Sequence, residues 1–195
     1  MINNETHKID YYKNGNIQCE KYYFNGKLHN ENGPAEIWYY NNGTISQEFW
    51  CTNGRITRNN GPAIIDYYES GNIRYEKYYF NNKIRNENVA IIIYYYENGN
   101  KYCEEYYING EFHRENGPAN IKYYEDGSIG REEYYINGKF VMTDKDVEKY
   151  INSTKPIRIR NINKLKILYN ICKARNLKDK AEEIGSILLL KALQE

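Results

Sequence analysis

Histidines, the residues that most often bind metals or move protons, are few in this sequence and far apart. They are His7, His29 and His113, and the last two are separated by three steps of the 28-residue repeat described below. Two strands per repeat, at about 4.8 Å per strand, would place those two histidines roughly 30 Å apart. We therefore expect no shared metal site.

The cysteines, serines and glycines do not form a catalytic motif either. Cys19, Cys51, Cys103 and Cys172 include no C-x-x-C pair, so neither a disulfide framework nor a zinc site is indicated. No serine lies in a nucleophile-elbow motif, and the glycines fit hairpin turns rather than a phosphate loop. We predict that the chain is not an enzyme, with no catalytic residue, no cofactor and no small-molecule substrate.

A column of glutamates is the most unusual chemical feature. It recurs every 28 residues, two positions before an aromatic residue, at Glu20, Glu48, Glu76, Glu104 and Glu132. Alternation along a strand puts each acid and its aromatic on one face, where a buried carboxylate needs a hydrogen-bond donor. One interpretation is structural, with a tyrosine hydroxyl, an amide or a basic side chain as the donor. The other is an acidic ladder facing a basic partner. We favour the first and predict at least one accepted hydrogen bond per glutamate.

The glutamate column belongs to a repeat that runs five times without insertion or deletion. Glycines follow the step at Gly15, Gly43, Gly71, Gly99 and Gly127. Tyrosine pairs follow it at residues 11–12, 39–40, 67–68, 95–96 and 123–124. Self-similarity at a fixed period is typical of proteins whose units bury their apolar faces on one another and present a long surface to a partner.

Each repeat reads as one β-hairpin with a short appended strand. In the second repeat, residues 35–40 and 45–52 are the strands, and residues 55–57 form the short third run. Asn-Gly occurs in both turns, at residues 42–43 and 53–54, and predicts two positive φ values, as in a type I′ turn. A Gly61-Pro62 corner closes the repeat.

Alternation separates the two faces of the first strand. The isoleucine of each repeat (Ile37 in the second) shares a face with the first tyrosine, and we expect this apolar face to be the packed one. The opposite, mixed face carries the second tyrosines and a variable column. Its aromatic members are the candidate binding residues Trp38, Tyr40, Tyr68, Tyr94, Tyr96 and Tyr124. We predict binding of a protein partner, or a homodimer, through this face or through the N-terminal edge near Ile9.

The composition changes after Met142. Residues 143–195 carry 12 lysines and arginines against 7 acids, whereas the first 142 residues carry 15 against 19. Apolar spacing predicts helices over residues 144–151, 162–175 and 178–193, which would cap the exposed edge of the sheet. Clustered cations leave nucleic acid or an acidic membrane surface as an alternative partner. The candidate residues for that contact are Lys164, Lys166, Lys173 and Arg175.

The sequence start and hydropathy predict the compartment. The first five residues lack the charged-then-apolar pattern of a secretory signal, and no apolar run approaches the roughly 20 residues of a membrane span. We expect an intracellular, cytoplasmic protein that is neither secreted nor membrane-spanning.

Two stretches, residues 20–29 and 104–118, resemble a known family. Each carries aromatics, then Asn-Gly, then a histidine, and the second continues to Gly117-Pro118. This pattern is similar to the longer, tyrosine-rich variant of the MORN repeat, and the resemblance covers roughly residues 7–142. It resembles uncharacterised giant-virus proteins and bacterial antitoxin-like repeat proteins. The third repeat departs from the pattern, with Asn82 for glycine and Val89-Ala90 for Gly-Pro. The resemblance implies scaffolding, protein binding and membrane-surface binding.

These observations predict a mainly β fold with an α-helical C-terminal cap. Residues 7–142 would form an elongated antiparallel array of five β-hairpin repeats, and residues 143–195 the helical segment. The function we expect is a non-enzymatic scaffold for protein–protein interaction. The alternative is a membrane-surface or nucleic-acid associated factor that uses the basic helices.

Overall fold

The computed structural model describes residues 4–79, 92–114, 117–152 and 162–192. Within them the protein is mainly antiparallel β, with a large sheet of hairpins and a C-terminal helical segment, as the sequence predicts. The departures predicted at Asn82 and at residues 89–90 lie outside the described residues.

The first two repeats and the start of the third supply nine strands. They are β1 (Glu5–Tyr11), β2 (Ile17–Phe24), β3 (Lys27–Leu28), β4 (Glu36–Tyr39), β5 (Ile45–Phe49), β6 (Cys51–Thr52), β7 (Arg55–Ile56), β8 (Ile64–Tyr67) and β9 (Ile73–Lys77). The remaining strands are β10 (Ile92–Tyr95), β11 (Lys101–Glu105), β12 (Tyr107–Ile108), β13 (Glu111–Phe112), β14 (Asn120–Tyr123), β15 (Ile129–Ile136) and β16 (Lys139–Thr143). The helices are α1 (Asp144–Ile151), α2 (Ile162–Ala174) and α3 (Lys178–Ala192).

The chain divides into two compact units. The first comprises Met1–Arg85, Val89–Glu104 and Tyr123–Ser128, and the second comprises Asn86–Asn88, Glu105–Lys122 and Ile129–Glu195. The change predicted after residue 142 is a change of secondary structure, because β16 ends at Thr143 and α1 begins at Asp144.

The strands of the first unit follow one another in the order β1, β2, β4, β5, β8, β9, β10, β11. The glutamate and isoleucine columns lie directly opposite each other on neighbouring strands. Ile37 on β4 faces Glu20 on β2 and Glu48 on β5. A register shift recurs one residue later, between Trp38 and Tyr39 and at the matching positions of the first and third repeats. Such a bulge increases the local twist of each hairpin.

The two turns of a repeat differ, and the type I′ prediction is correct for only one of them. In the second turn, Asn53 and Gly54 have φ values of 51° and 78°, as a type I′ turn requires. In the first turn only Gly43 has a positive φ. The side chain of Asn42 accepts a hydrogen bond from the Thr44 amide (2.9 Å), and this Asx contact holds Asn42 outside the left-handed region.

In the second, third and fifth repeats, a side chain closes the corner before the first strand. Arg58 donates a hydrogen bond to the Pro62 carbonyl, and its guanidinium lies 3.6 Å from the centre of the Trp50 ring. A Cβ at Gly61 would lie 3.1 Å from the guanidinium carbon of Arg58, so glycine leaves the room this contact needs. The next residue but one, Ala63, is completely buried.

The helices begin and end close to the predicted positions. Thr143 and Asp146 form a capping box, in which the Thr143 hydroxyl accepts from the Asp146 amide and the Asp146 carboxylate accepts from the Thr143 amide. No helix among the described residues is long and apolar enough to cross a membrane. The three helices share one core with the last hairpin, which β15 and β16 form. Its buried members include Tyr134, Val141, Met142, Val147, Leu165, Leu168 and Ile184.

Candidate functional site

The second tyrosines of the mixed face connect one repeat to the next. The hydroxyl of Tyr40 donates to the backbone carbonyl of Tyr67 at 2.6 Å. The same bond recurs from Tyr12 to Tyr39 (2.7 Å), from Tyr68 to Tyr95 (2.7 Å) and from Tyr96 to Tyr123 (2.9 Å). The hydroxyls of Tyr40, Tyr68 and Tyr96 are therefore used inside the protein, and these side chains are half-buried. Tyr124, which ends the series, is 60 % exposed.

Trp38 is held by one side chain of its own strand and one of the preceding hairpin. Its indole N–H donates to the Glu36 carboxylate at 2.8 Å. Lys21 lies 3.1 Å from the same carboxylate and 5.2 Å from the indole ring centre. The sequence placed Trp38 among exposed binding residues, whereas the structure shows a half-buried ring between an acid and a base.

Two pairs of tyrosine rings lie side by side on the mixed face of the first unit. Tyr75 is directly opposite Tyr94 in the β9–β10 pair, with the ring centres 5.8 Å apart. Two residues further along, Tyr96 meets Tyr102 edge-to-face at 5.1 Å. Tyr102 is 42 % exposed. We call these four residues the aromatic patch; Tyr75 and Tyr102 belong to repeat columns that the sequence pattern did not single out.

The rest of the mixed face contains buried polar groups. Asp66, in the variable column of this face, is only 1 % exposed. It pairs with Arg74 at 2.6 Å and accepts from the Gln47 amide at 2.6 Å. Cys19, opposite Asp10, is also buried. The mixed face is therefore partly packed as well, because long polar side chains cover it.

Four of the five glutamates of the column accept a hydrogen bond from a tyrosine or a lysine, as predicted. Glu76 accepts from Tyr95 (2.7 Å) and Tyr78 (3.1 Å), and Glu20 from Tyr39 (2.6 Å) and Tyr22 (3.1 Å). The other donors are Lys101 for Glu104 and Tyr134 for Glu132, and Glu48 lies close enough to Tyr67 for its charge to raise the pKa of that tyrosine. The Tyr39 hydroxyl holds the pKa of Glu20 below its usual range. These bonds occupy the carboxylates and favour the structural interpretation.

Ionisation of the tyrosines should destabilise the sheet at alkaline pH. Burial, followed by the charge of nearby glutamates, raises the pKa of Tyr67 and of Tyr78 to about 12. Because the unfolded chain ionises near pH 10, this contribution to stability is complete below about pH 10 and is lost as pH rises towards about 12. We expect part of the tyrosinate absorbance to appear only with unfolding. Complete ionisation of a still folded chain near pH 10 would contradict this.

The four cysteines are free and buried. Burial raises the pKa of the Cys19 and Cys51 thiols to about 11. A shift of about two units above the ordinary value lowers the thiolate fraction about a hundredfold near neutral pH. We expect a thiol reagent to label the native chain at least about a hundredfold more slowly than the denatured chain. Fast labelling of Cys19 or Cys51 in the folded protein would be the contrary result.

The histidines fix neighbouring turns. Nδ1 of His29 accepts from the Asn53 amide (3.2 Å), and Nδ1 of His113 accepts from the Asn137 amide (3.1 Å). His7 stacks on Tyr22 and contacts Glu20. In the parts of the chain that the structure describes, no group of three His, Cys, Asp or Glu side chains could hold a metal ion.

The four basic candidate residues of the helical segment differ in their contacts and exposure. Arg175 forms an ion pair with Glu148, and Lys173 lies 5.4 Å from the centre of the Tyr169 ring. Lys166 is exposed and Lys164 is half-buried. Arg175 and Lys173 therefore each have an intramolecular partner.

No family model, no curated protein and no solved structure matches the chain. The resemblance to the MORN-repeat variant therefore remains a prediction from the residues that carry it.

Proposed function

We propose that this protein is a non-enzymatic scaffold that binds a protein partner through the mixed face of its sheet, with the aromatic patch at the centre of the contact. The observation that carries the proposal is the pairing of Tyr75 with Tyr94 and of Tyr96 with the exposed Tyr102. Tyrosine is enriched in protein interfaces because its ring supplies apolar area and its hydroxyl supplies a hydrogen bond.

The internal bonds of this face support a binding role. The hydroxyl of Tyr96 is fixed to the Tyr123 carbonyl, so the ring needs little further ordering on binding. Neighbouring charges on the same face are already paired, as Asp66 is with Arg74. A partner would therefore meet rigid rings next to neutralised charges. The MORN-like resemblance agrees with a scaffold that works inside the cell.

The basic helices support the alternative less well. Binding to phosphates needs protein cations that can displace the counterions of the phosphates. Arg175 is already paired with Glu148. Lys166, Lys173 and Arg175 are exposed, and Lys164 is half-buried. Contact of this segment with nucleic acid or an acidic membrane is the second candidate function.

Site-specific photo-crosslinking in the cell tests the proposal. A photoreactive phenylalanine replaces Tyr102, and in a matched control it replaces Phe140, which is 52 % exposed in the second unit. We expect discrete protein adducts from position 102 that are absent from position 140. We also expect Tyr94→Ala to remove them. Absence of protein adducts at position 102 would favour the second candidate function. So would binding of RNA or vesicles by the native chain that the Lys164→Glu/Lys166→Glu variant loses.

A further inference from the structure

The outer edge of β1 lies at the end of the sheet formed by the described strands. In the strand order, β1 stands at the end and pairs only with β2 among the described residues. Six of its seven residues are exposed, and Ile9 is half-buried. An open strand edge presents backbone donors and acceptors that another strand can use.

The peptide groups that point outward can be identified from the neighbouring strand. The amide of Tyr22 donates to the Ala35 carbonyl, and its own carbonyl accepts from His29, so both groups point away from β1. Tyr22 lies directly opposite His7. In an antiparallel pair, two residues that lie opposite each other either both direct their N–H and C=O groups towards the other strand or both direct them away from it. The groups of His7 therefore point outward as well.

Alternation extends this assignment along the strand. The outward groups belong to His7, Ile9 and Tyr11, and those of Lys8 and Asp10 point towards β2. The first turn agrees, because the Tyr12 amide donates to Asn16 inside the hairpin.

We propose that the β1 edge pairs antiparallel with β1 of a second copy, with Ile9 on the two-fold axis. This interface is separate from the aromatic patch and goes beyond the proposed function. In this register Ile9 faces Ile9, and His7 faces Tyr11 on both sides of the axis. All of these residues have outward peptide groups, so about six backbone hydrogen bonds would form.

Charge favours this register over the two neighbouring registers that the backbone also allows. With Ile9 on the axis, Lys8 faces Asp10 twice, at positions without backbone hydrogen bonds, where opposite side chains are closest. Moving the axis to Lys8 would set two lysines opposite each other, and moving it to Asp10 would set two aspartates opposite each other. Like charges directly opposite one another are destabilising. Charges on edge strands usually prevent pairing, but in this register the opposite charges attract one another.

Charge reversal tests the proposal, with sedimentation velocity at micromolar concentration as the readout. We expect the native chain to dimerise, giving about twice the 23.3 kDa mass of one chain. Lys8→Asp and Asp10→Lys should each weaken the dimer about tenfold or more, because both cross-strand pairs become repulsive. The double variant should restore it. A mixture of the two single variants should form a heterodimer, since both pairs are then attractive again.

A matched control and a disulfide probe complete the test. Lys139→Asp changes the same charge at an exposed position of the second unit and should leave the dimer intact. Ile9→Cys should form a covalent dimer under mild oxidation, whereas Tyr11→Cys should not, because only position 9 meets itself. A monomeric native chain, a dimer unaffected by the single reversals, or a dimer lost instead in Tyr102→Ala would overturn the proposal.

Discussion

Glu76→Ala is expected to lower the free energy of unfolding by about 2–4 kcal/mol, because it leaves two half-buried tyrosine hydroxyls without their acceptor. Those hydroxyls belong to Tyr78 and Tyr95, at 3.1 and 2.7 Å from the Glu76 carboxylate. Urea unfolding measures the change. Trp38 and Trp50 both lie in the first unit, so tryptophan fluorescence reports on the unit that contains the substitution.

Glu97→Ala is the matched control for this experiment. Its side chain is exposed in a turn of the same unit, so the change should stay within about 0.5 kcal/mol. A double-mutant cycle of Glu76→Gln with Tyr95→Phe should give a coupling energy of about 0.5–3 kcal/mol. Equal effects of Glu76→Ala and Glu97→Ala would show that the glutamate column does not stabilise the sheet, and would revive the interpretation of an acidic ladder for a basic partner.

Leu165→Ala is expected to destabilise the second unit by about 2–5 kcal/mol. Leu165 is fully buried in the core that α1, α2 and α3 share with the last hairpin, so truncation leaves a cavity lined by close-packed side chains. Leu189→Ala removes the same atoms from a side chain that is 64 % exposed, and should cost less than about 0.5 kcal/mol.

Far-ultraviolet circular dichroism measures both leucine variants, since all three helices lie in the second unit. Tyr134, Val141 and Met142 belong to the same core, so the helices are part of a folded unit with the last hairpin. A Leu165→Ala chain that unfolds at the denaturant concentration of Leu189→Ala would contradict that shared core.

The helix positions were predictable because their signals are local. Thr143 and Asp146 form a capping box within four residues, and the Asn176 amide closes the end of α2 by donating to the Lys173 carbonyl. The second turn was predictable for the same reason, since Asn-Gly adopts the two positive φ values on its own. The first turn has the same dipeptide but a different conformation. The Asn42 side chain bonds to Thr44, and this competing contact decides the turn type.

The contacts of the tyrosines could be identified only from the tertiary structure. Sequence periodicity placed Tyr40 and Tyr96 on the mixed face together with Tyr94, but it did not show that the Tyr40 and Tyr96 hydroxyls reach the carbonyls of Tyr67 and Tyr123. That contact spans 27 residues and depends on the stagger and twist of neighbouring hairpins. Tyr102 gave no signal, because its column holds Gln18, Ser46, Arg74 and Gly130 in the other repeats.

The sequence by itself determined the hairpins, the helices and the chemical pairing of glutamate with tyrosine. Each of these follows from short-range rules: turn residues, caps, and alternation that puts Glu76 on the face of Tyr78. Only the tertiary structure decided which side chains are covered. Asp66 is buried and Tyr102 is exposed because burial depends on which neighbour a strand meets and how long that neighbour's side chain is. Arg74 can reach across to Asp66, whereas the Tyr102 ring, at the same position of the next repeat, packs on Tyr96 and keeps one side open.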